Sequence, residues 1–168
     1  MSAVIDPRQF REVLGAFCSG ITVVTALGPD GVPLGLTCRS FSSLSLDPSL
    51  VLLAPARSSS TWPRIRAAGG FGVAVLAAGQ EQVALAMSRS GTDKFAGLDW
   101  TPSSHGRPRP AGVAAWLDCD LHDEPDGGDH TIVVGAVRDL DVTDHPPLLY
   151  HRGAFATLHR SEGRGDTP

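Results

Sequence analysis

A chain of 168 residues is long enough for one domain with its own core, and a composition 42% hydrophobic and 19% charged describes a folded protein rather than a disordered one. A formal charge of −4 argues against a general nucleic-acid or membrane-surface binder. Three cysteines without a Cys-x-x-Cys pair point to free thiols in a reducing, cytoplasmic setting. The opening residues lack the basic and apolar regions of a signal peptide, and no apolar stretch is long enough to cross a bilayer.

In chain order, Asp6 and Pro7 offer a helix cap and a first-turn proline, with Gln9 placed to complete a capping box. Phe10, Val13, Leu14 and Phe17 recur at helical spacing and predict a short amphipathic helix, stopped at Ser19-Gly20. Ile21 to Leu27 predicts a strand, Gly28 to Gly31 a turn, and Val32 to Cys38 the returning partner of a hairpin. Phe41 to Leu46 reads as extended and ends at Asp47-Pro48. Leu50 to Ala54 is a short apolar run between turn signals, the pattern of a buried strand.

Thr61 is placed to cap a helix over 62–68, with Pro63 in its first turn and Gly69-Gly70 as the stop. Phe71 to Leu76 predicts a strand and Gln80 to Ser88 a helix with Val83, Ala84 and Met87 on one face. Ser90 to Pro110 is a long connection rich in Gly, Pro and Ser, more often functional than idle. Ala115, Leu117, Cys119 and Leu121 alternate, as in a strand with one buried face. A Gly-rich turn at 124–128 leads into a strongly β-forming run over Thr131 to Val137, with Val142 as the furthest point of any continuation. Leu148 to Leu158 predicts a last extended piece. Residues 1–160 are expected to form one domain and 161–168 a disordered tail. Strands and helices do not alternate regularly, so the fold class is mainly β with a few short helices, arranged as a mostly antiparallel barrel.

Two polar clusters stand at expected strand ends: Thr37-Cys38-Arg39-Ser40-Phe41 and Arg57-Ser58-Ser59-Ser60-Thr61. Hydroxyls, an arginine and helix N–H groups at one point make a phosphate seat, although the same residue types also serve as plain turns and caps. His130 follows the Gly-rich turn and enters the strongest predicted strand, where a histidine is either structural or catalytic. No Gly-x-Gly-x-x-Gly, Walker loop or Gly-x-Ser-x-Gly elbow is present. The six histidines lack zinc spacing, so no metal is expected.

Taken in order, Thr37 to Leu52, then Arg57 to Ile65, then Gly128-Asp129-His130-Thr131 resemble the flavin reductases of two-component monooxygenases, over Phe10 to about Leu158. The resemblance implies an FMN-binding split barrel with Greek-key-like order, usually a homodimer with flavin at the subunit interface. It implies an NAD(P)H-dependent reductase that takes NADH or NADPH, reduces FMN (or FAD) and releases it to a separate flavin-dependent oxygenase. On the same grounds Thr37, Cys38, Arg39, Ser40 and Phe41 line the flavin, Ser58 to Thr61 face its phosphate with Arg57 alongside, and Lys94 and Phe95 approach it. His130 then lies near the nicotinamide, and Tyr150 and Arg152 belong to a C-terminal segment that binds the nicotinamide nucleotide, although Tyr150 would serve equally as a core or dimer aromatic. FMN is favoured over FAD because no adenine site is legible. Arg39 departs from the family pattern, which has a small polar residue there, and Cys38 stands where Ala is common. A charge at 39 would stabilise reduced flavin, reach a phosphate or partly block the pocket. Two other readings stay open: a split-barrel protein that stores flavin or handles haem, and a pyridoxamine-phosphate-oxidase-like enzyme.

Overall fold

The computed structural model describes residues 5–91 and 93–159; the stretch expected to be a disordered tail, 161–168, lies outside the described residues. Helix α1 (Pro7–Gly15) is capped by Asp6, whose carboxylate accepts from the N–H groups of Arg8 and Gln9. Strands β1 (Ser19–Gly20), β2 (Thr22–Leu27) and β3 (Pro33–Cys38) follow. The β2–β3 hairpin turns where expected, with Gly31 at φ +75°, a conformation that favours glycine.

Next come β4 (Ser42–Leu46), β5 (Ser49–Leu53), α2 (Trp62–Ala67), β6 (Gly70–Val75) and α3 (Glu81–Ser88). The long connection carries β7 (Trp100–Pro102) and β8 (Pro108–Pro110), and leads to β9 (Ala115–Asp123). The chain continues through β10 (Asp126–Gly127), β11 (His130–Thr131), β12 (Val133–Val142), β13 (Leu148–His151) and β14 (Ala154–Thr157). The main sheet is antiparallel, in the order β3-β2-β6-β9-β12-β5-β4; β1-β13-β14, β10-β11 and β7-β8 form smaller antiparallel sheets.

Trp116, Phe71, Ile65, Leu53 and Met87 are among the largest fully buried side chains. Each contributes roughly 1.5–3 kcal/mol by leaving water. Glycine decides one contact: a Cβ on Gly72 would lie 2.0 Å from the Trp116 ring, so only glycine lets β6 and that indole pack this closely. The fully buried Asp118 accepts from Trp116 Nε1 (3.0 Å), Ser103 Oγ (2.9 Å) and Arg107 Nη1 (3.4 Å), which ties the long connection to β9.

Three expectations change. Strand β9 does not bury one face alone: Trp116 and Asp118 are buried as well as Cys119, while Ala115, Leu117 and Leu121 are half-buried, because β9 is a central strand with core packed against both faces. Strand β5 is not buried throughout: Val51 and Leu53 are, while Leu50 and Leu52 are half-buried, because β5 covers the core with one face only. Helix α1 buries none of its residues; Phe10, Val13, Leu14 and Phe17 are 52–80% exposed. The amphipathic pattern is real, but its apolar side has no cover within the described chain.

Candidate functional site

Main-chain pairing joins the two distant polar motifs. Arg57 N–H donates to Asp129 O (2.9 Å), Thr131 N–H to Pro55 O (3.0 Å), and Ala56 bridges His130. The β10–β11 hairpin is thereby sewn to the loop between β5 and α2, and His130 comes to stand beside Ser58 to Thr61. The crossing from β3 to β4 closes the other side: Ser40 Oγ accepts from Ala54 N–H (2.8 Å) and contacts Cys38 Sγ (3.1 Å), while Thr37 Oγ1 donates to Ala84 O (2.6 Å) on α3.

Between these walls lies a cavity of about 470 Å3, within the usual size of a small-molecule site. Residues 37–40, 54–56, 58–61 and 87–90 line it with Lys94 and His130. Its lining contains Arg39, Arg89 and Lys94 and no carboxylate, although the chain as a whole is negative. Six of the lining residues are serines and two are threonines. A second cavity of about 690 Å3 lies against the first, sharing Arg39 and His130 with it. It is walled by α1 and by the β13–β14 turn, and carries Arg11, Arg39 and Arg152 against one carboxylate, Asp129.

Several expected site residues sit differently from the simplest reading. Arg57 lines neither cavity; its Nε donates to Gly128 O (2.7 Å) and its Nη2 pairs with Asp126 (2.5 Å), so it fastens the His130 hairpin. That guanidinium holds the Asp126 carboxyl below the usual carboxylate range. Phe41 packs against the core cluster around Trp62 and Phe71. Phe95 is buried edge-on to Trp100, and neither phenylalanine lines either cavity. Thr61 makes no side-chain cap; Ser59 Oγ accepts from the N–H groups of Thr61 and Trp62 instead, so these amides are already partnered.

Lys94 does reach the first cavity. Gly35 allows it: a Cβ there would meet Met87 Sδ at 2.4 Å and Phe95 at 3.2 Å, so its absence lets α3 and the 93–95 segment close on β3. Lys94 Nζ donates to Gly35 O (2.8 Å), Met87 O (3.1 Å) and Thr61 Oγ1 (3.2 Å). Partial burial lowers its pKa. With its three hydrogens directed to those oxygens, Lys94 leaves the Thr61 hydroxyl hydrogen to point elsewhere.

His130 Nδ1 lies 2.6 Å from Asp129 Oδ1, and this contact pulls the Asp129 carboxyl below its usual range. A proton on Nδ1 shared with that carboxylate leaves Nε2 as the free ring nitrogen. Tyr150 lines the second cavity, and the Arg39 guanidinium lies 4.6 Å from its ring centroid. All three cysteines are free: Cys18 is exposed, Cys38 and Cys119 are buried, and burial pushes the Cys119 thiol up to about 12. Sequence reasoning missed Arg89 and Arg11. Arg89 carried no signal, whereas Arg11 interrupts the stripe of Pro7, Phe10 and Leu14, where a charge needs a reason.

Residues 14–159 match the family described as flavin reductase like domain. The chain belongs to that family. It is 48% identical to the reductase subunit HsaB of a flavin-dependent monooxygenase from Mycobacterium tuberculosis, over 94% of this chain and 86% of that protein. It is 44% identical to the FMN reductase (NADH) SmoA of Agrobacterium fabrum, over 92% and 88%. Among solved structures, an NADH:FAD oxidoreductase of Streptomyces globisporus in complex with NAD and FAD fragments superposes with a TM-score of 0.88 at 35% identity, covering 96% of this chain and 100% of that one. This member of the flavin reductase-like family therefore keeps the family's antiparallel architecture around its two adjoining cavities. None of the helices described is long and apolar enough to cross a membrane.

Proposed function

We propose that this flavin reductase-like protein is an NAD(P)H:flavin oxidoreductase that supplies reduced flavin to a separate flavin-dependent oxygenase. One observation carries the reading: two adjoining cavities, one hydroxyl-lined and one arginine-lined, share Arg39 and His130 as their common wall. The first suits a flavin, because its lining offers hydroxyls and cations and no carboxylate to repel a phosphate. Flavin and dihydronicotinamide together supply the hydride chemistry, so no protein nucleophile or metal is needed.

The residues bind and orient. Ser58, Ser60 and Thr61 offer hydroxyls to a terminal phosphate, Lys94 fixes Thr61 and adds positive charge, and Arg39 sets the partition between the cavities. His130, held by Asp129, presents Nε2 towards a nicotinamide placed in the second cavity beside Tyr150. The adjoining cavities hold two rings close, which is where the rate gain arises. On this reading the chain is one split-barrel domain that acts in the cytoplasm. It pairs into a homodimer, supported by the uncovered apolar residues of α1 and by Leu46, which is 94% exposed on β4.

FMN is the preferred flavin on the strength of the hydroxyl-rich loop, and FAD is the second candidate, since relatives are named for each. Oxidation of NADH and of NADPH with added FMN, FAD or riboflavin tests the proposal. Turnover dependent on flavin is expected; none with any flavin would reject it.

A further inference from the structure

Among the described residues, Arg57, Arg66, Arg107, Arg109 and Arg138 are ion-paired, whereas Arg8, Arg64, Arg89, Arg11, Arg39 and Arg152 make no ion pair; what sets the last three of these apart is where they converge. These three arrive from separate elements (α1, the β3–β4 crossing and the β13–β14 turn) and all line the second cavity. The carboxylate in the same lining, Asp129, is engaged by His130. Three unneutralised guanidinium groups on one concave surface repel one another unless an anion joins them.

Arg152 adds a conformational observation. His151 pairs with Ala154, so Arg152-Gly153 is a two-residue hairpin turn, and both residues have positive φ, +50° and +83°. Such a turn favours Asn-Gly, and Arg152 is the one non-glycine residue with positive φ among those described. Its N–H donates to Gly15 O (3.0 Å), which docks the turn against the end of α1, and Arg152 and Arg11 line the same cavity. A local strain kept at a cavity wall is the pattern of a residue retained for binding.

We infer that Arg11, Arg39 and Arg152 form a seat for the diphosphate of a dinucleotide, with Phe10 and Phe17 as apolar walls for its base, and that Arg152 holds its position against the turn's own preference. The inference rests on the flavin reductase reading. Two dinucleotides carry this chemistry: the nicotinamide donor, to which the seat is assigned, and FAD.

The test uses the full-length protein and titrates ADP and adenosine as probes by calorimetry, without flavin. ADP is expected to bind at least tenfold more tightly than adenosine, with a preference that falls as salt rises. Arg11→Gln and Arg152→Gln should each reduce that preference severalfold. Arg152→Asn gives the decisive pairing: a Tm no lower than wild type, because Asn accepts the left-handed turn, together with weakened ADP binding. Unchanged ADP binding in Arg152→Asn, or a lowered Tm accompanying the loss, would overturn the inference. With FMN as acceptor, the variants should raise the KM for NADH while leaving the ratio of FAD to FMN affinity unchanged; a changed ratio would assign the seat to FAD and overturn the donor assignment. Wild-type turnover without any ADP preference removes the seat alone, whereas absence of flavin-dependent turnover removes the reductase reading.

Discussion

The guanidinium of Arg39 lies over the ring of Tyr150, 4.6 Å from its centroid, and the pair stands where the two cavities meet. A cation held on an aromatic face gains about 0.5–1 kcal/mol and keeps its charge, so the positive field at this wall is fixed in place. Arg39→Asn should lower the midpoint potential of bound flavin by roughly 30 mV, equivalent to ~1.4 kcal/mol for a two-electron couple. Spectroelectrochemical titration measures it, and an unchanged potential would exclude the electrostatic role.

The Ser58 and Thr61 hydroxyls are expected to bind the flavin phosphate. Replacing both by Ala should weaken FMN binding about tenfold to a hundredfold and leave riboflavin binding nearly unchanged, since a hydrogen bond to a charged group contributes about 1.5–3 kcal/mol. Equal losses for both flavins in a fluorescence titration would show that the loop is not the phosphate seat.

His130→Ala should raise the KM for NADH or lower kcat while flavin affinity stays intact. Asp129→Asn should produce a milder version, because it removes the carboxylate that orients the ring. If His130→Ala merely lowers Tm without a specific kinetic defect, the histidine serves the hairpin alone.

Light scattering at micromolar concentration should give the mass of a dimer. Val13 on α1 is 65% exposed and lines neither cavity, so Val13→Asp should shift the mass towards the monomer. A monomer in the wild type, with flavin bound, would remove the dimer proposal.

Acid should loosen the hairpin that carries His130. Asp126 and Asp129 both titrate below the usual carboxylate range, the first chiefly through its bond to Arg57 and the second through His130. A carboxyl whose folded pKa is depressed stabilises the fold above its unfolded pKa and loses that contribution as pH falls through the folded value. Stability from these pairs should hold above about pH 5 and decline below about pH 4. Arg57→Gln should flatten that decline in Tm, and an identical acid profile in the variant would refute the assignment.

Local chemistry made much of the chain legible. Asp6 caps α1, Gly31 turns the β2–β3 hairpin and Gly69 at φ +72° ends α2, because each depends on backbone conformations and partners within a few residues. The apolar face of α3, where Ala84 and Met87 are buried, follows from a period of 3.6 in the same way. Ser58 to Thr61 and His130 could be named from motif alone, and both reach the first cavity.

Which partner each side chain meets was decided by topology. Arg57 sits in the serine-rich cluster, yet its charge goes to Asp126, 69 residues away, because the pairing of Ala56 with His130 brings the β10–β11 hairpin within its reach. Lys94 reaches the first cavity while Phe95 enters the core, a division set by how closely α3 and the 93–95 segment settle on Gly35. Sequence alone determined the short-range elements, since capping, turn and periodicity energies act over one or two turns of chain. Only the tertiary structure decided that a helix read as amphipathic would wall a cavity, and that three arginines from distant elements would converge there, because those relationships depend on long-range strand order that no local pattern encodes.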